Sequence, residues 1–147
     1  MKMKFCKIHM KTAELYSQMS YAIRRKVGAV LVSSDNTRIL LCGYNGSCSG
    51  FPNVCEKEII KDGVVTLETL PEVVHAEENI ISFAAKHGIS TNNTNLYTTL
   101  SPCIQCSKMI INSGIARVFY KEKYRDVSGL DLLEKAGIEV IQLTDLD

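Results

Sequence analysis

Two short stretches of this 147-residue chain carry side chains that could bind a metal ion and move a proton. The first reads His-Ala-Glu from position 75, and the second reads Pro-Cys-Ile-Gln-Cys from position 102. Zinc prefers neutral imidazole and thiolate ligands, and three protein ligands leave the fourth tetrahedral position open, as in catalytic zinc sites. The pattern therefore predicts a catalytic zinc site with three protein ligands, His75, Cys103 and Cys106.

The two cysteines are spaced so that one helix can present both of them. They are three positions apart, and residues three apart lie on one helix face. Pro102 marks the expected entry of that helix, because proline is favoured at the first helical position. The positive end of a helix and a bound metal both lower the pKa of a thiol. We therefore expect Cys103 and Cys106 to bind as thiolates.

Glu77 is the predicted general acid and base of this site. It stands two positions after His75, which would put the two side chains on nearly opposite sides of a regular helix, so we place both in a first turn. Zinc brings the pKa of bound water towards about 7, so the water can lose a proton near neutral pH. Glu77 can accept this proton. The order H-x-E and then P-C-x-x-C is the signature of zinc nucleobase deaminases, in which the glutamate is not a ligand. The alternatives are a structural zinc knuckle with a bystander glutamate, or a chance co-occurrence.

The composition limits the class of protein. The chain has the length of one domain, and 46% of its residues are hydrophobic, so it can bury a core without disulfides. Its 17 basic and 16 acidic residues argue against double-stranded nucleic acid as the main partner, because that binding rests on many phosphate contacts. We find no apolar run of about twenty residues and no secretory leader. The six cysteines lack a compact disulfide layout. We therefore expect no membrane association and a cytoplasmic location, the host cytoplasm if a phage encodes the protein.

The hydrophobic pattern predicts helices and strands in alternation. The predicted helices cover residues 7–25, 74–87, 103–113 and 129–136, and the predicted strands cover residues 27–32, 38–42, 95–100, 116–120 and 139–143. The first two strands flank a polar turn and form an antiparallel hairpin. Residues 43–73 are predicted to form a long loop, in which residues 58–65 could be either a short helix or a short strand.

These elements predict one α/β domain over residues 1–147. Strands that alternate with helices argue for a mainly parallel sheet with helices on its faces, and the initial hairpin adds the antiparallel part. We therefore expect a five-stranded mixed sheet in a three-layer α/β/α arrangement. Both zinc-bearing helices should begin at the same edge of this sheet, where open α/β proteins place their sites.

The sequence from about Tyr16 to Leu143 closely resembles the cytidine deaminase superfamily and, within it, the deoxycytidylate (dCMP) deaminase family, including forms encoded by phages. The zinc motif is common to the superfamily, whereas Gly-Tyr-Asn-Gly at positions 43–46 narrows the resemblance. Arg-Lys-Val-Gly-Ala at positions 25–29, Asn79 and residues 108–115 add to it. The resemblance implies a cytidine-deaminase-like fold and hydrolytic deamination of dCMP to dUMP, which would supply dUMP for thymidylate synthesis.

The resemblance also implies roles for individual residues. The three zinc ligands hold one zinc per subunit. As hydroxide attacks C4 of cytosine, Glu77 delivers protons to N3 and then to the departing ammonia. The backbone around Ala76 is expected to contact the pyrimidine edge, and Asn45 to contact the sugar or the base.

Further substrate contacts are expected from side-chain chemistry. A nucleotide needs a phosphate site, for which the basic candidates are Arg24, Arg25, Lys26, Lys121, Lys123 and Arg125. We select Arg25 and Lys26, because they lead into the first strand, close to where the resemblance places the nucleotide. Tyr124 and Asp126 follow the fourth strand and are expected to close over the base or sugar, and Ser101 completes the predicted substrate-binding set.

The resemblance extends to assembly and regulation. Family members tend to form homo-oligomers, often hexamers, and many are activated by dCTP with Mg²⁺ and inhibited by dTTP. The implied cofactor is Zn²⁺, with Mg²⁺ accompanying a dCTP effector. The resemblance places this regulation in the glycine-rich loop after the hairpin, which contains Gly43, Tyr44 and Gly46.

Two other functions remain open at this point. One keeps the zinc chemistry but changes the substrate to dCTP, free cytidine, guanine, a pterin or flavin precursor, or an adenosine in tRNA. The low net charge argues against the last of these. The other is a non-catalytic zinc-stabilised binding module, and a fourth protein ligand on the metal would favour it, because structural zinc sites normally have four.

Overall fold

From residue 76 onwards, helices and strands alternate along the chain, as the hydrophobic pattern predicts. A computed structural model describes residues 1–147. The helices are α1 (Met3–Ser17), α2 (Ala76–His87), α3 (Ile104–Asn112) and α4 (Ser128–Lys135). The strands are β1 (Gly28–Val32), β2 (Ile39–Tyr44), β3 (Gly46–Ser47), β4 (Glu56–Lys61), β5 (Val64–Thr69), β6 (Val73–Val74), β7 (Asn95–Leu100), β8 (Arg117–Glu122) and β9 (Glu139–Gln142). None of the helices combines the length and apolar character that crossing a bilayer requires.

The main sheet has five strands in the order β2-β1-β7-β8-β9. Strand β1 is antiparallel to both β2 and β7, whereas β8 is parallel to both β7 and β9. The predicted five-stranded mixed sheet is confirmed, but parallel pairing does not predominate. The reason is that β2 and β7 run in the same direction with α2 between them in the chain, while β1 lies between them and runs the opposite way.

Each strand of the sheet divides its side chains between two cores, as the period of two requires. In β1, Ala29 and Leu31 belong to one hydrophobic cluster, and Val30 and Val32 belong to another. The first cluster contains residues of α2, α3 and α4, and the second contains residues of α1. The predicted three-layer α/β/α arrangement is therefore confirmed, with three helices on one face and one on the other.

Helix α1 covers Met3–Ser17, whereas the sequence predicts a helix over residues 7–25. The helix therefore begins and ends earlier than predicted. The backbone N–H groups of Ile23 and Arg24 bond to the carboxylate of Glu56 rather than to carbonyls one turn earlier. Because a side chain from elsewhere in the chain satisfies these donors, the apolar periodicity does not continue as a helix. The segment that follows α1 instead borders the predicted site.

The prediction of a long loop over residues 43–73 is wrong, because these residues contain four short strands. Strands β4 and β5 form an antiparallel hairpin in which Lys61 pairs with Val64. The turn between them is Asp62-Gly63, and both residues have positive φ angles, 51° and 76°. Asp-Gly flanked by apolar residues is a strong sequence signal for a two-residue hairpin, so the sequence did contain the information for these strands.

Gly28 allows α1 to lie directly on β1. A Cβ atom at this position would lie 1.9 Å from the backbone oxygen of Ala13 and 2.6 Å from the backbone nitrogen of Ser17. We expect Gly28→Ala to lower the free energy of unfolding by about 1–3 kcal/mol or more, because backbone atoms must move. Denaturant unfolding would measure this, with Gly46→Ala as the control, since a Cβ there meets no atom within 4 Å. Equal unfolding midpoints for the two variants would contradict the expectation.

Candidate active site

The first turn of α2 presents His75 and Glu77 to the same region. His75 is the N-cap residue of α2, with extended backbone angles. Its backbone N–H donates to Oε1 of Glu78 over 3.1 Å, and a glutamate that reaches back in this way fixes the start of a helix. Ala76, the first residue of α2, is fully buried. The placement of both residues at a helix start, which the two-residue spacing predicts, is therefore what the structure has.

The first turn of α3 presents the two cysteines. Cys103 is the N-cap residue, and its Sγ accepts a hydrogen bond from the backbone N–H of Cys106 over 3.5 Å. Pro102 therefore lies one residue before the cap rather than inside the helix. The N–H groups at the start of a helix carry a positive potential, which favours a thiolate at Cys103.

The imidazole and the two thiols form a metal-ligand cluster. Nδ1 of His75 lies 3.2 Å from Sγ of Cys106 and 3.5 Å from Sγ of Cys103, and the three ligand atoms all lie within 4.8 Å of one another. Tetrahedral zinc with ordinary bond lengths would separate a nitrogen and a sulfur ligand by about 3.6 Å. The three residues therefore fit a zinc ion with only small adjustments. No fourth histidine, cysteine or carboxylate joins the cluster, which leaves one coordination position for a non-protein ligand.

Without metal, the three side chains of the cluster share protons unequally. Hydrogen bonds from Cys106 and His75 lower the pKa of Cys103 to about 4. The pKa of Cys106 is raised, because its thiol donates to Cys103 and is buried. The hydrogen bond with Cys103 also raises the pKa of His75 to about 9. Zinc would replace the protons that Cys106 and His75 carry, so metal binding should release protons.

Glu77 lies beside this cluster and is not part of it. Its side chain is only 3% exposed. Burial raises the pKa of its carboxyl group to about 7, although the neighbouring His75 acts in the opposite direction. A carboxyl group with a pKa near the working pH can both accept and donate a proton during one reaction cycle. Burial thus gives Glu77 the property that the predicted role requires.

The cluster opens into a pocket of about 360 Å³. Glu77 and two of the candidate metal ligands, His75 and Cys103, line it, while Cys106 is buried beneath. The predicted substrate-binding residues that line the pocket are Arg25, Asn45, Ala76, Ser101 and Tyr124. Two further arginines that were considered for phosphate, Arg24 and Arg125, also line it. Residues of the metal-ligand cluster and three arginines therefore line the same pocket.

Lys26 and Asp126 are predicted substrate contacts that lie outside the residues lining this pocket. Lys26 lines a neighbouring polar hollow together with Lys121 and Glu122. Asp126 accepts a hydrogen bond from the backbone N–H of Ser128 at the start of α4, over 2.9 Å, so its carboxylate supports that helix. Arg25 lines both the pocket and the hollow, and its guanidinium pairs with Glu122.

Asn45 holds one wall of the pocket in place. Its Oδ1 accepts from the backbone N–H of Val27 over 2.9 Å, and its Nδ2 donates to the backbone oxygen of Arg25 over 2.8 Å. One N–H of its amide group is still free for a ligand. Asn45 therefore fixes the segment that carries Arg25 in addition to lining the pocket.

Ser101 and Tyr124 are joined by a hydrogen bond at another wall of the pocket. The hydroxyl oxygen of Ser101 accepts from the backbone N–H of Tyr124 over 2.7 Å. Ser101 is 3% exposed, so its hydroxyl group serves mainly to hold the chain after β8 against the end of β7. This places Tyr124, with Arg125 next to it, at the pocket.

The Gly-Tyr-Asn-Gly motif packs against α2 and hydrogen-bonds to it. A Cβ atom on Gly43 would come within 2.9 Å of Cγ1 of Ile80, so glycine permits the close contact between β2 and α2. The backbone oxygen of Tyr44 accepts from Nδ2 of Asn79 over 2.6 Å. Gly43 and Tyr44 end β2, and Gly46 begins β3. The effector role of these residues stays a prediction.

Two polar residues that line the pocket were not predicted from the sequence, Glu56 at the start of β4 and Thr69 at the end of β5. The side chain of Glu56 reaches the segment after α1, which is distant in the chain. The Asp-Gly hairpin signal predicts the strand that carries Glu56, but no local pattern predicts its contact with Ile23 and Arg24.

Comparisons with known proteins agree with this geometry. The family model of the cytidine and deoxycytidylate deaminase zinc-binding region matches residues 3–122. The deoxycytidylate deaminase of Enterobacteria phage T4 is 35% identical over 89% of this chain and 86% of its own length. The probable deoxycytidylate deaminase of Drosophila melanogaster is 37% identical over 88% of this chain and 68% of its own.

A solved structure resembles the whole chain. The dCMP deaminase of cyanophage S-TIM5, determined in complex with dCMP and dUMP, is 42% identical and superposes with a TM-score of 0.85 over 97% of this chain and 99% of that one. A buried glutamate at an open histidine and cysteine cluster, in a matching fold, agrees with both results. The chain belongs to the cytidine and deoxycytidylate deaminase family of zinc-binding enzymes.

Proposed function

We propose that this protein catalyses the hydrolytic deamination of dCMP, in which dCMP and water give dUMP and ammonia. The observation that carries the proposal is Glu77, a buried carboxyl group beside a three-ligand metal cluster in a pocket with three arginines. The phage relatives named deoxycytidylate deaminase, and the cyanophage enzyme with dCMP and dUMP bound, support this substrate.

His75, Cys103 and Cys106 would hold one zinc ion per subunit. When bound, zinc lowers the pKa of a water molecule so that it can supply a nucleophile near neutral pH. Glu77 accepts one proton of that water and passes it to N3 of the cytosine ring. After the bond from C4 to oxygen has formed, Glu77 takes the remaining O–H proton and gives it to the departing amino group. The bond from C4 to the amino nitrogen breaks as the new bond from C4 to oxygen becomes a carbonyl, and ammonia leaves.

The walls of the pocket bind and orient the nucleotide. The backbone around Ala76 meets the pyrimidine edge, because the first N–H groups of a helix have no partner within the helix. The free amide N–H of Asn45 is available to the sugar or base. Tyr124 closes over the nucleotide. Ser101 holds Tyr124 in that position, because its hydroxyl oxygen accepts a hydrogen bond from the backbone N–H of Tyr124.

The arginines of the pocket are the proposed phosphate site. Arg24, Arg25 and Arg125 line the pocket, whose lining includes two acidic residues. Arginine matches a phosphate group with paired N–H donors. In this proposal Lys26 and Asp126 act at longer range, Lys26 by adding positive potential from the neighbouring hollow and Asp126 by supporting the chain next to Arg125.

Assembly, regulation and location are the finer parts of the proposal. We propose a homo-oligomer, with a hexamer favoured by the resemblance, in the cytoplasm of the cell or infected host. Exposed apolar residues on the β4–β5 hairpin, Ile60, Val64 and Val65, support an association surface. dCTP with Mg²⁺ and dTTP are the proposed effectors, and their binding would involve the Gly43–Gly46 motif that supports α2.

The substrate is tested by a direct comparison of cytosine nucleotides. Zinc-loaded protein is incubated with dCMP, dCTP, deoxycytidine and CMP, with and without dCTP-Mg²⁺ or dTTP, while the loss of cytosine absorbance is followed. We expect dCMP to be the preferred substrate, because the three arginines would bind its phosphate and deoxycytidine lacks that group. Faster turnover of dCTP would make the triphosphate the substrate. No turnover of any of the four at full zinc content would favour the non-catalytic module.

A further inference from the structure

Gly129 is the second residue of α4, and it packs against the start of α3. A Cβ atom at this position would lie 2.2 Å from the backbone oxygen of Pro102, 2.8 Å from the carbonyl carbon of Cys103 and 2.8 Å from Oγ of Ser107. Alanine is a better helix former than glycine, so the helix itself does not favour glycine here. The close approach of α4 to the start of α3 does require it.

The three proposed zinc ligands are held in different ways. Cys106 lies within α3 and is fully buried, and Glu78 fixes the start of α2 at His75. Cys103, in contrast, is the N-cap residue of α3, with extended backbone angles and a partly exposed side chain. Because an N-cap residue is only half within its helix, α3 alone fixes Cys103 less firmly than Cys106. The backbone contact with Gly129 supplies a second support.

The chain before α4 is tied to the same connection between β7 and α3. The hydroxyl oxygen of Ser101, two residues before Cys103, accepts a hydrogen bond from the backbone N–H of Tyr124 over 2.7 Å. At Pro102 and Cys103, the neighbours of Gly129 are backbone atoms, which cannot rotate away as the end of a side chain can. A displacement of α4 would therefore move the backbone of Cys103.

Resting on the zinc site of the proposed function, we propose that Gly129 is a positioning residue for the metal. By admitting the start of α4 against the backbone of Cys103, it keeps the sulfur of this ligand close to His75 and Cys106. Gly129 acts through Cys103 and is not itself a ligand. Helix α4 thus belongs to the support of the metal site, although it carries no metal-binding side chain.

Gly129→Ala tests this role, and Gly28→Ala is the matched control. Both changes add a methyl group that meets backbone atoms, but Gly28 meets those of α1, on the other face of the sheet. The control is needed because a loss of folding stability by itself lowers the apparent affinity for a metal that binds the folded state. Thermal unfolding of the metal-free proteins measures how far each change destabilises the fold.

The decisive measurement is zinc affinity, by competition with a chromophoric chelator. Loss of groups that orient a metal ligand costs about 10–100-fold in affinity, and we expect a loss of this size for Gly129→Ala. Gly28→Ala should stay within about threefold of the wild type, because its ligands are undisturbed. Co²⁺ in place of zinc gives a second readout, since its visible absorption depends on ligand geometry. That spectrum should change in Gly129→Ala and not in Gly28→Ala.

A second pair of variants applies if either glycine variant fails to fold. Leu130→Ala and Leu143→Ala each remove a buried leucine, 6% and 5% exposed, from the clusters on the α4 side and the α1 side of the sheet. Leu130→Ala should loosen α4 without adding an atom next to Cys103. We expect it to weaken zinc binding about threefold or more relative to Leu143→Ala.

Equal zinc affinities within the pair of variants that folds would overturn the positioning role and leave Gly129 as a packing residue only. A wild type that binds no zinc would refute the proposed metal site and this role together. If the wild type binds zinc but turns over none of the cytosine compounds, the proposed deamination is refuted, while the zinc affinities still decide the role of Gly129.

Discussion

Glu77→Gln should reduce dCMP turnover about a hundred- to ten-thousand-fold while zinc stays bound. The amide keeps the size of the carboxyl group but cannot take a proton from water or return one, and removal of a general acid and base typically costs this much. Glu77 lies outside the ligand cluster, so the metal content should not change. The measurement combines the rate of cytosine loss with zinc analysis of the same sample.

The control for this change is Glu134→Gln, which alters an exposed glutamate on α4. It should behave as the wild type in both measurements. Near-full turnover by zinc-loaded Glu77→Gln would show that another group moves the protons. Loss of zinc from Glu77→Gln would show instead that the carboxylate is a ligand, which the present geometry does not have.

Cys106→Ala should abolish stable zinc binding and, with it, activity. Cys106 is fully buried, its sulfur is 3.2 Å from Nδ1 of His75, and its removal leaves the cluster with two protein ligands. Loss of groups that merely orient a ligand already costs about 10–100-fold in metal affinity, and we expect loss of a ligand to cost more. Zinc analysis after dialysis gives the direct measurement.

Thermal unfolding with a chelator provides the second measurement for this prediction. A metal that binds only the folded state stabilises it, so chelation should lower the Tm of the wild type. The Tm of Cys106→Ala should not respond to the chelator. Cys48→Ala removes an exposed thiol and should respond as the wild type does. Full zinc content in Cys106→Ala would contradict the assignment of this ligand.

The proposed zinc ligands and Glu77 are the part of the site that sequence reasoning places most directly. The residue types restrict the chemistry that the site can perform. The spacing within each motif requires the start of a helix, and a helix start is a local structure that the neighbouring residues determine. The alternation of apolar segments likewise predicts the five strands of the main sheet and the helices between them, because periodicity reports which face is buried.

Contacts between distant segments limit what else could be predicted. Helix α1 ends at Ser17 and not at Arg25, since Glu56 and Asn45 hold the segment in between. Lys26 and Asp126 are adjacent in sequence to Arg25 and Arg125, which line the pocket, but neither lines it. Side-chain direction at these positions depends on tertiary packing, and a residue type does not contain that information.

The position of β1 in the sheet has a consequence for how the chain folds. Strand β1 pairs with β2 across a short turn, but its other partner, β7, begins with Asn95, whose side chain bonds to Ser33 from 62 positions away. Contacts of such long sequence separation slow folding, because the loop must close before they form. The entropy of closing that loop depends weakly on its length, about 0.6 kcal/mol for each doubling. The β4–β5 hairpin lies in this segment and belongs to a separate sheet, so a change in its length should have little effect on the stability of the main sheet.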